Sequence, residues 1–395
     1  MKRFLLYLSA LMPFCAFAQI STGYYRVQNV STKRYMSIVD THADFKIGAT
    51  YKNYVYSDLE AIHMLTDFED SVSYNPATIC YVEYMGKNAG ADEYNLSGQG
   101  LNLHDETSRY LNAIERPNGE YRFYASGSAA GISVTRYLID NTYHGTVYYP
   151  SVGDDTESNP NRNWNVLPVN ENDGHYFGIK PDVNAGGAYW ATMYAGFAYK
   201  SSNESTKIYR VYDVDENHGF AIIEEVSEVP AGTPVLIHCG AATPSGNKMT
   251  LLTSVVGSVG ANSLRGNWYC NDVQDKSTAP LKHRNVTAYN SSSMRMLGVT
   301  SDGKPAFVKG SEANLVRSKV DGGLYLPANR CYLSVSNNAP DVLQIVTKEE
   351  YVTGIHDISA PVTEGKKVIY DLQGRRVQTP AKGLYIVNGK KVVIK

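Results

Sequence analysis

Three stretches of this chain hold residues whose types and spacing could do chemistry. His238-Cys239 sets an imidazole next to a thiol, the two groups a cysteine nucleophile requires. Both lie in TPVLIHCG, an apolar, β-branched run that reads as a strand. Adjacent strand residues point to opposite faces, so this pair cannot act as a dyad. Asp213, Asp215 and Asn217, with Glu224 eleven residues after Asp213, have part of the spacing of a calcium loop. His218 stands where that loop needs glycine, and the apolar runs KIYRVYDV and FAIIEEV on either side favour a plain hairpin turn. In AYWATMY, alternation puts Trp190, Thr192 and Tyr194 on one face and Tyr189, Ala191 and Met193 on the other. One face is expected to be core; an exposed Trp190/Tyr194 pair would make a platform for stacking a sugar ring. The carboxylates Asp182, Glu224 and Glu225 have no neighbours in sequence that would shift their pKa. The chain contains no His-Glu-x-x-His, no Gly-x-Ser-x-Gly, no phosphate-binding loop and no paired-cysteine zinc spacing. The expectation is a non-catalytic protein with no cofactor and, the weak calcium candidate aside, no metal.

The elements that would position such residues begin after a leader. MKRFLLYLSALMPFCAFAQ has Lys2 and Arg3, an apolar stretch from Phe4 to Phe14 too short to span a bilayer, and a small-x-small site, Ala16-Phe17-Ala18, before Gln19. Residues 1–18 therefore read as a signal peptide. Its removal takes away Lys2 and Arg3 and shifts the formal net charge from −2 to about −4. Neither value suits a nucleic-acid partner, and no later apolar segment is long enough for a transmembrane helix. Cys80, Cys239, Cys270 and Cys331 remain, and in an exported chain four cysteines allow three full pairings. A bridge among the last three is one reading, and free buried thiols are the other. Tyrosine is abundant, 31 against 10 Phe and 3 Trp, which suits strands whose outer face meets water or a polar ligand.

Residues 19–170 form a first unit, opening with the hairpin GYYRVQNVSTKRYMSIVD. SDLEAIHMLTDF breaks the alternation, and Ser57 with Glu60 three residues on predicts one short helix over 57–68. Arg-Tyr followed by a large apolar residue recurs at Arg34, Arg109 and Arg136, a hint of threefold repetition. A polar break at 171–174 leads into a second unit, 175–346, whose many short strands punctuated by Gly, Pro, Asn and Asp read as a β-sandwich. The remainder, 347–395, holds two hairpins, one turning at Asp371-Leu372-Gln373-Gly374 and one at Asn388-Gly389, a type I′ signal.

GYYRVQNVSTKRYMSI and RNWNVLPV resemble the first strand pair and the last strand of a ricin-type β-trefoil, whose repeats typically end Gln-x-Trp. Trp164 keeps one such signature, with Arg162 in the Gln place. The resemblance implies sugar binding in shallow pockets, with Asp40 and Asp140 as the pocket acids by position. WATMYAGFAY, VPAGTPVLI, NSLRGN, MRMLGV and YLPANRCYL resemble a domain common in exported proteins of bacteria with a type IX secretion system. VIYDLQGRRV and KGLYIVNGKKVVIK are similar to a type IX C-terminal sorting domain, on Tyr370, Asp371, Gly374, Arg375, Gly383, Tyr385, Lys390 and Lys391. That resemblance implies that outer-membrane machinery reads the tail and delivers the protein to the medium or the cell surface of a Gram-negative bacterium. The whole then reads as an all-β, secreted or surface-displayed protein binding carbohydrate or another host surface ligand. A protein-binding adhesin or surface-layer component, and a hydrolase with an unrecognised carboxylate site, are the alternatives.

Overall fold

A computed structural model describes residues 19–38, 62–88, 90–99, 101–102, 111–116, 118–129, 132–141, 149–153, 160–254, 257–268, 287–318, 322–353, 369–371, 375–377, 380, 382–387 and 390–394. The first unit has strands β1 (Gly23–Asn29), β2 (Tyr35–Ile38), β3 (Ile62–Leu65), β4 (Cys80–Asn88), β5 (Ala91–Gly98), β6 (Leu101–Asn102), β7 (Leu111–Glu115), β8 (Tyr121–Ala129), β9 (Ile132–Asn141), β10 (Tyr149–Gly153) and β11 (Trp164–Pro168). Six of them close a ring of antiparallel pairs, β1–β4–β5–β7–β8–β11 and back to β1. The others leave the ring as excursions: the β2–β3 pair after β1, β6 after β5, and the β9–β10 pair after β8. A six-stranded barrel with three such excursions is a β-trefoil-like architecture, and closure removes the unpaired edges an open sheet would expose.

Alternation decides which side chains fill the barrel. Val27, Val82, Tyr94, Leu96, Phe123 and Trp164 point inward, and Met36 and Leu138 from the excursions pack against them. The first turn forms because Asn29 Oδ1 accepts from the backbone N–H of Ser31 and Thr32 at 3.0 and 3.1 Å. The helix expected over 57–68 is corrected: Ile62–Leu65 is strand β3, paired residue for residue with β2, from Ile38↔Ile62 to Tyr35↔Leu65. A single helical turn follows at Phe68–Val72. Cross-strand hydrogen bonds from a distant segment outweigh a local helical spacing. Ser57 and Glu60 lie outside the described residues.

The second unit continues with β12 (Phe177–Gly178), β13 (Val183–Ala185), β14 (Ala188–Met193), β15 (Ala198–Ser201), β16 (Lys207–Asp215), β17 (Phe220–Glu225), β18 (Val235–Cys239), β19 (Lys248–Leu252), β20 (Leu264–Asn267), β21 (Met294–Val299), β22 (Pro305–Val308), β23 (Val316–Arg317), β24 (Leu324–Tyr325), β25 (Arg330–Ser334) and β26 (Val342–Thr347). Ten of these form one sheet in the order β13-β14-β18-β16-β17-β26-β22-β21-β25-β20, and β12-β19-β15 form a second. The three-stranded sheet packs on one face of the larger one through Phe177, Tyr199 and Met249 against Ala191, Met193 and Ile237. The large sheet also curls on itself, so that Trp190, Val211, Leu236, Phe307, Leu333 and Leu343 share a second core on its other face. Contacts between its two ends seal the curl: Tyr194 N–H donates to Asn329 O at 3.1 Å, and Cys331 N–H to Thr192 Oγ1 at 3.1 Å. Asn329 takes a left-handed backbone (φ 56°) at this join.

A short helix α1 (Lys348–Thr353) follows β26 and stays with the second unit, its Tyr351 ring packed on Phe220. In the tail, β27 (Ile369–Tyr370), β28 (Gly383–Val387) and β29 (Lys390–Ile394) form a three-stranded sheet. The strands β28 and β29 pair in the register Val387↔Lys390; Asn388 and Gly389, the expected turn, lie outside the described residues. At the first turn Arg375 Nε donates to Asp371 at 2.9 Å, and Tyr370 bridges to Arg376. Gly374 lies outside the described residues. No helix among the described residues is long and apolar enough to cross a membrane.

Candidate functional site

Asp140, expected to face a ligand, lies inside the trefoil unit. It is 1% exposed, and its carboxylate accepts from two Arg34 nitrogens, Nε at 3.1 Å and Nη2, and from the Thr32 hydroxyl. Burial raises its pKa, with Thr32 and Arg34 pulling the other way. The carboxylate thus joins the first turn to β9, 106 residues away, rather than lining a pocket. Trp164 is fully buried, its indole N–H donating to Leu138 O at 2.9 Å. Asp40 lies outside the described residues.

In the second unit the alternation of AYWATMY holds, but both faces are core, because the large sheet is covered on one side and closed on the other. Trp190 is 8% exposed and packs on His238 in a tilted arrangement, ring centroids 4.7 Å apart. Tyr194, packed against the same core, stacks on Trp268 with ring centroids 5.2 Å apart. The exposed Trp190/Tyr194 platform does not form. Cys239 faces the opposite core from His238, and burial pushes its thiol up to about 12. Cys80, Cys239 and Cys331 are free and buried, which corrects the bridge reading for these three; Cys270 lies outside the described residues.

The weak calcium candidate is a hairpin turn. Asp215 accepts from His218 and from the Tyr351 hydroxyl, at 2.6 and 2.7 Å. Glu224 of β17 reaches across to its β16 partner Arg210, which donates through Nε at 3.0 Å, and accepts from Lys348 Nζ at 2.8 Å. Those two cations hold the Glu224 carboxyl below its usual range. Among the described residues no group of three His, Cys, Asp or Glu converges as a metal site. Asp182 does have an environment the sequence did not reveal. Partial burial raises its pKa, offset in part by Arg330 at 2.8 Å and the Thr192 N–H at 2.8 Å.

Among the described residues, two concave places lie on the trefoil barrel. One is on its outer wall. Tyr24, Tyr81 and Ser97 are direct neighbours across β1, β4 and β5. They face outward, since Tyr25, Val82 and Leu96 beside them point in. Tyr24 and Tyr81 pack with ring centroids 5.0 Å apart, and Tyr24 meets Phe197 of the second unit at 5.8 Å. Together with Ser97, Gly98, Gln99 and Gly196 they line a shallow cleft of 130 Å³. Its floor is fixed by contacts between the units. Gln99 and Asn329 exchange side-chain amide hydrogen bonds at 3.1 and 3.0 Å, both buried. On the same outer face of β1, Arg26 donates to Tyr176 O at 2.8 Å, and burial lowers its pKa to about 9. The cleft therefore offers two partly exposed aromatic rings beside hydroxyl and backbone polar groups on a rigid wall.

The other place is the barrel mouth, a cavity of 240 Å³ lined by Gln19, Asp92, Tyr94, Ala113, Ile114, Glu115 and Tyr121. Burial pushes the Tyr94 phenol up to about 12. A phenol held neutral in the fold while the unfolded chain ionises near 10 contributes stability that is complete below pH 10 and disappears between about 10 and 12. Tyr94→Phe is therefore expected to lose less stability than the wild type between pH 10 and 12, read from urea unfolding midpoints. Equal losses would count against this assignment.

No protein-family model matches the chain, and no curated protein matches it. Among solved structures, one described as "Structure and mode of action of a mosquitocidal holotoxin" aligns over 82% of this chain at 11% identity, with a TM-score of 0.25. This chain spans about a third of that structure's length, 35%.

Proposed function

We propose that this is a secreted or surface-displayed carbohydrate-binding protein, reading its ligand at the Tyr24–Tyr81 cleft of the trefoil-like unit. The observation that carries the reading is the row Tyr24–Tyr81–Ser97 on adjacent strands, where two rings lie beside hydrogen-bonding groups in a shallow concavity. Sugars present C–H faces that pack on aromatic rings and hydroxyls that need polar partners at the ring edge. A site this small holds one terminal residue weakly, and display of many copies would raise avidity. In this reading residues 1–18 direct export, and the tail bearing Tyr370, Asp371, Arg375, Gly383, Tyr385, Lys390 and Lys391 is the address read by type IX outer-membrane machinery.

The test is a glycan array probed with the chain from Gln19 onward and with Tyr81→Ala. The wild type is expected to bind a defined terminal sugar. Tyr81→Ala is expected to weaken that binding about tenfold, the scale of one lost stacking contact, while remaining fully folded at the assay temperature. Binding to no glycan, or binding indifferent to Tyr81→Ala, would refute the assignment.

A further inference from the structure

The barrel mouth has a feature that sugar binding on the outer wall does not use. Ile20 is 5% exposed and belongs to the barrel core, and its backbone N–H donates to the Tyr94 hydroxyl at 3.1 Å. The chain just before β1 thus plugs the barrel, and Gln19 lines the cavity directly above the plug. Two carboxylates share that cavity. Asp92 is already engaged, by the Tyr84 hydroxyl at 3.2 Å and by Lys87 at 3.6 Å. Glu115 is not: its Oε2 is buried and has no hydrogen-bond partner. A buried carboxylate oxygen without a donor is costly, and an N–H donor or a cation brought beside it would offset that cost.

We propose that the barrel mouth is a binding site for a primary ammonium, and that its occupant is the chain's own α-amino group, created at Gln19 when residues 1–18 are removed. The inference rests on the leader reading and not on the glycan reading. An uncleaved chain has a neutral amide at this point and leaves Glu115 unmatched. Cleavage supplies a charge beside the oxygen that lacks a partner, so processing and stability of the trefoil unit are coupled. The groups facing the new amine are Glu115, Asp92 with its partner Lys87, and the phenols of Tyr94 and Tyr121. An α-amine ordinarily titrates near ~8, and a carboxylate partner raises that value in the fold. The stabilisation is then complete below pH ~8 and lost as pH rises through the raised value.

The experiment compares the full chain beginning at Gln19 with one retaining Ala16-Phe17-Ala18 ahead of it, each with and without Glu115→Gln. At pH 6.5 the chain starting at Gln19 is expected to melt about 2–4 °C higher. The difference should disappear at pH 10 and in Glu115→Gln. Should Glu115→Gln fail to fold, cyclisation of Gln19 decides instead. In that reaction the neutral α-amine attacks the side-chain amide carbon, a C–N bond forms and ammonia leaves, which intact mass reports. An amine held as ammonium should cyclise at least about tenfold more slowly in the folded chain than in urea. Equal melting of the two chains at pH 6.5, a difference that survives Glu115→Gln, equal cyclisation folded and unfolded, or a natural start other than Gln19 would each overturn the proposal. None of these outcomes bears on Tyr81 or on glycan binding.

Discussion

Asp140→Ala is expected to destabilise the trefoil-like unit by about 3–5 kcal/mol, the scale for leaving one member of a buried ion pair unmatched. Arg34 is 7% exposed and would keep its charge with nothing to replace the carboxylate. Against a typical domain stability of about 5–15 kcal/mol, that is a large share. The raised pKa of Asp140 makes a second, less obvious expectation. Burial costs this carboxylate more than Thr32 and Arg34 return to it, so the pair as a whole contributes little net stability. The double replacement Arg34→Met with Asp140→Leu should therefore recover most of the loss, whereas either single change should not. Urea unfolding of the four chains measures this directly. A single-mutant cost below about 1 kcal/mol would mean that the pair is solvated.

Trp164→Ala is expected to cost about as much, roughly 3–5 kcal/mol, for a different reason. Trp164 is the largest fully buried side chain, and it sits where β11 closes the ring, opposite Asn29 of β1 and Tyr121 of β8. Its removal empties the barrel centre and leaves Leu138 O without its donor. Trp164→Phe fills most of the space but not the hydrogen bond, so it should fall between, at about 1–3 kcal/mol. If the proposed outer-wall site is the binding site, both variants should alter glycan binding only in proportion to the fraction unfolded. Loss of binding by a fully folded Trp164→Phe would instead make Trp164 a ligand contact and displace the outer-wall site.

Asp140 and Trp164 drew attention in the sequence for a sound reason and turned out to have another role. Here an acid soon after an Arg-Tyr strand and a tryptophan on the strand that closes the ring hold the unit together. That role depends on partners 106 and 26 residues away. No local pattern records those distances. The helix expected over 57–68 failed similarly: the spacing of Leu59, Ile62, His63 and Leu65 suits one helical face, yet β2 supplies a matching edge that the local sequence cannot show.

What the sequence by itself determined is local. The alternation of apolar residues placed the strands and, within AYWATMY, sorted the two faces correctly. The spacing around Asn388-Gly389, which lie outside the described residues, agrees with the register Val387↔Lys390 in the tail. The apolar runs around Asp213–His218 made that stretch a hairpin turn, and adjacency on a strand set His238 apart from Cys239. Periods of two residues and turn chemistry act over a few residues, so a reading of a few residues recovers them. The tertiary structure alone decided the rest. It closed six strands into a ring, covered both faces of the strand bearing Trp190, and brought Tyr24, Tyr81 and Ser97 into one row through the register of three strands. It also brought Gln19 and Glu115, whose Oε2 has no partner, to the lining of one cavity. Each of these depends on which distant strand pairs with which and in what register, and a shift of one residue would turn every one of those side chains to the opposite face.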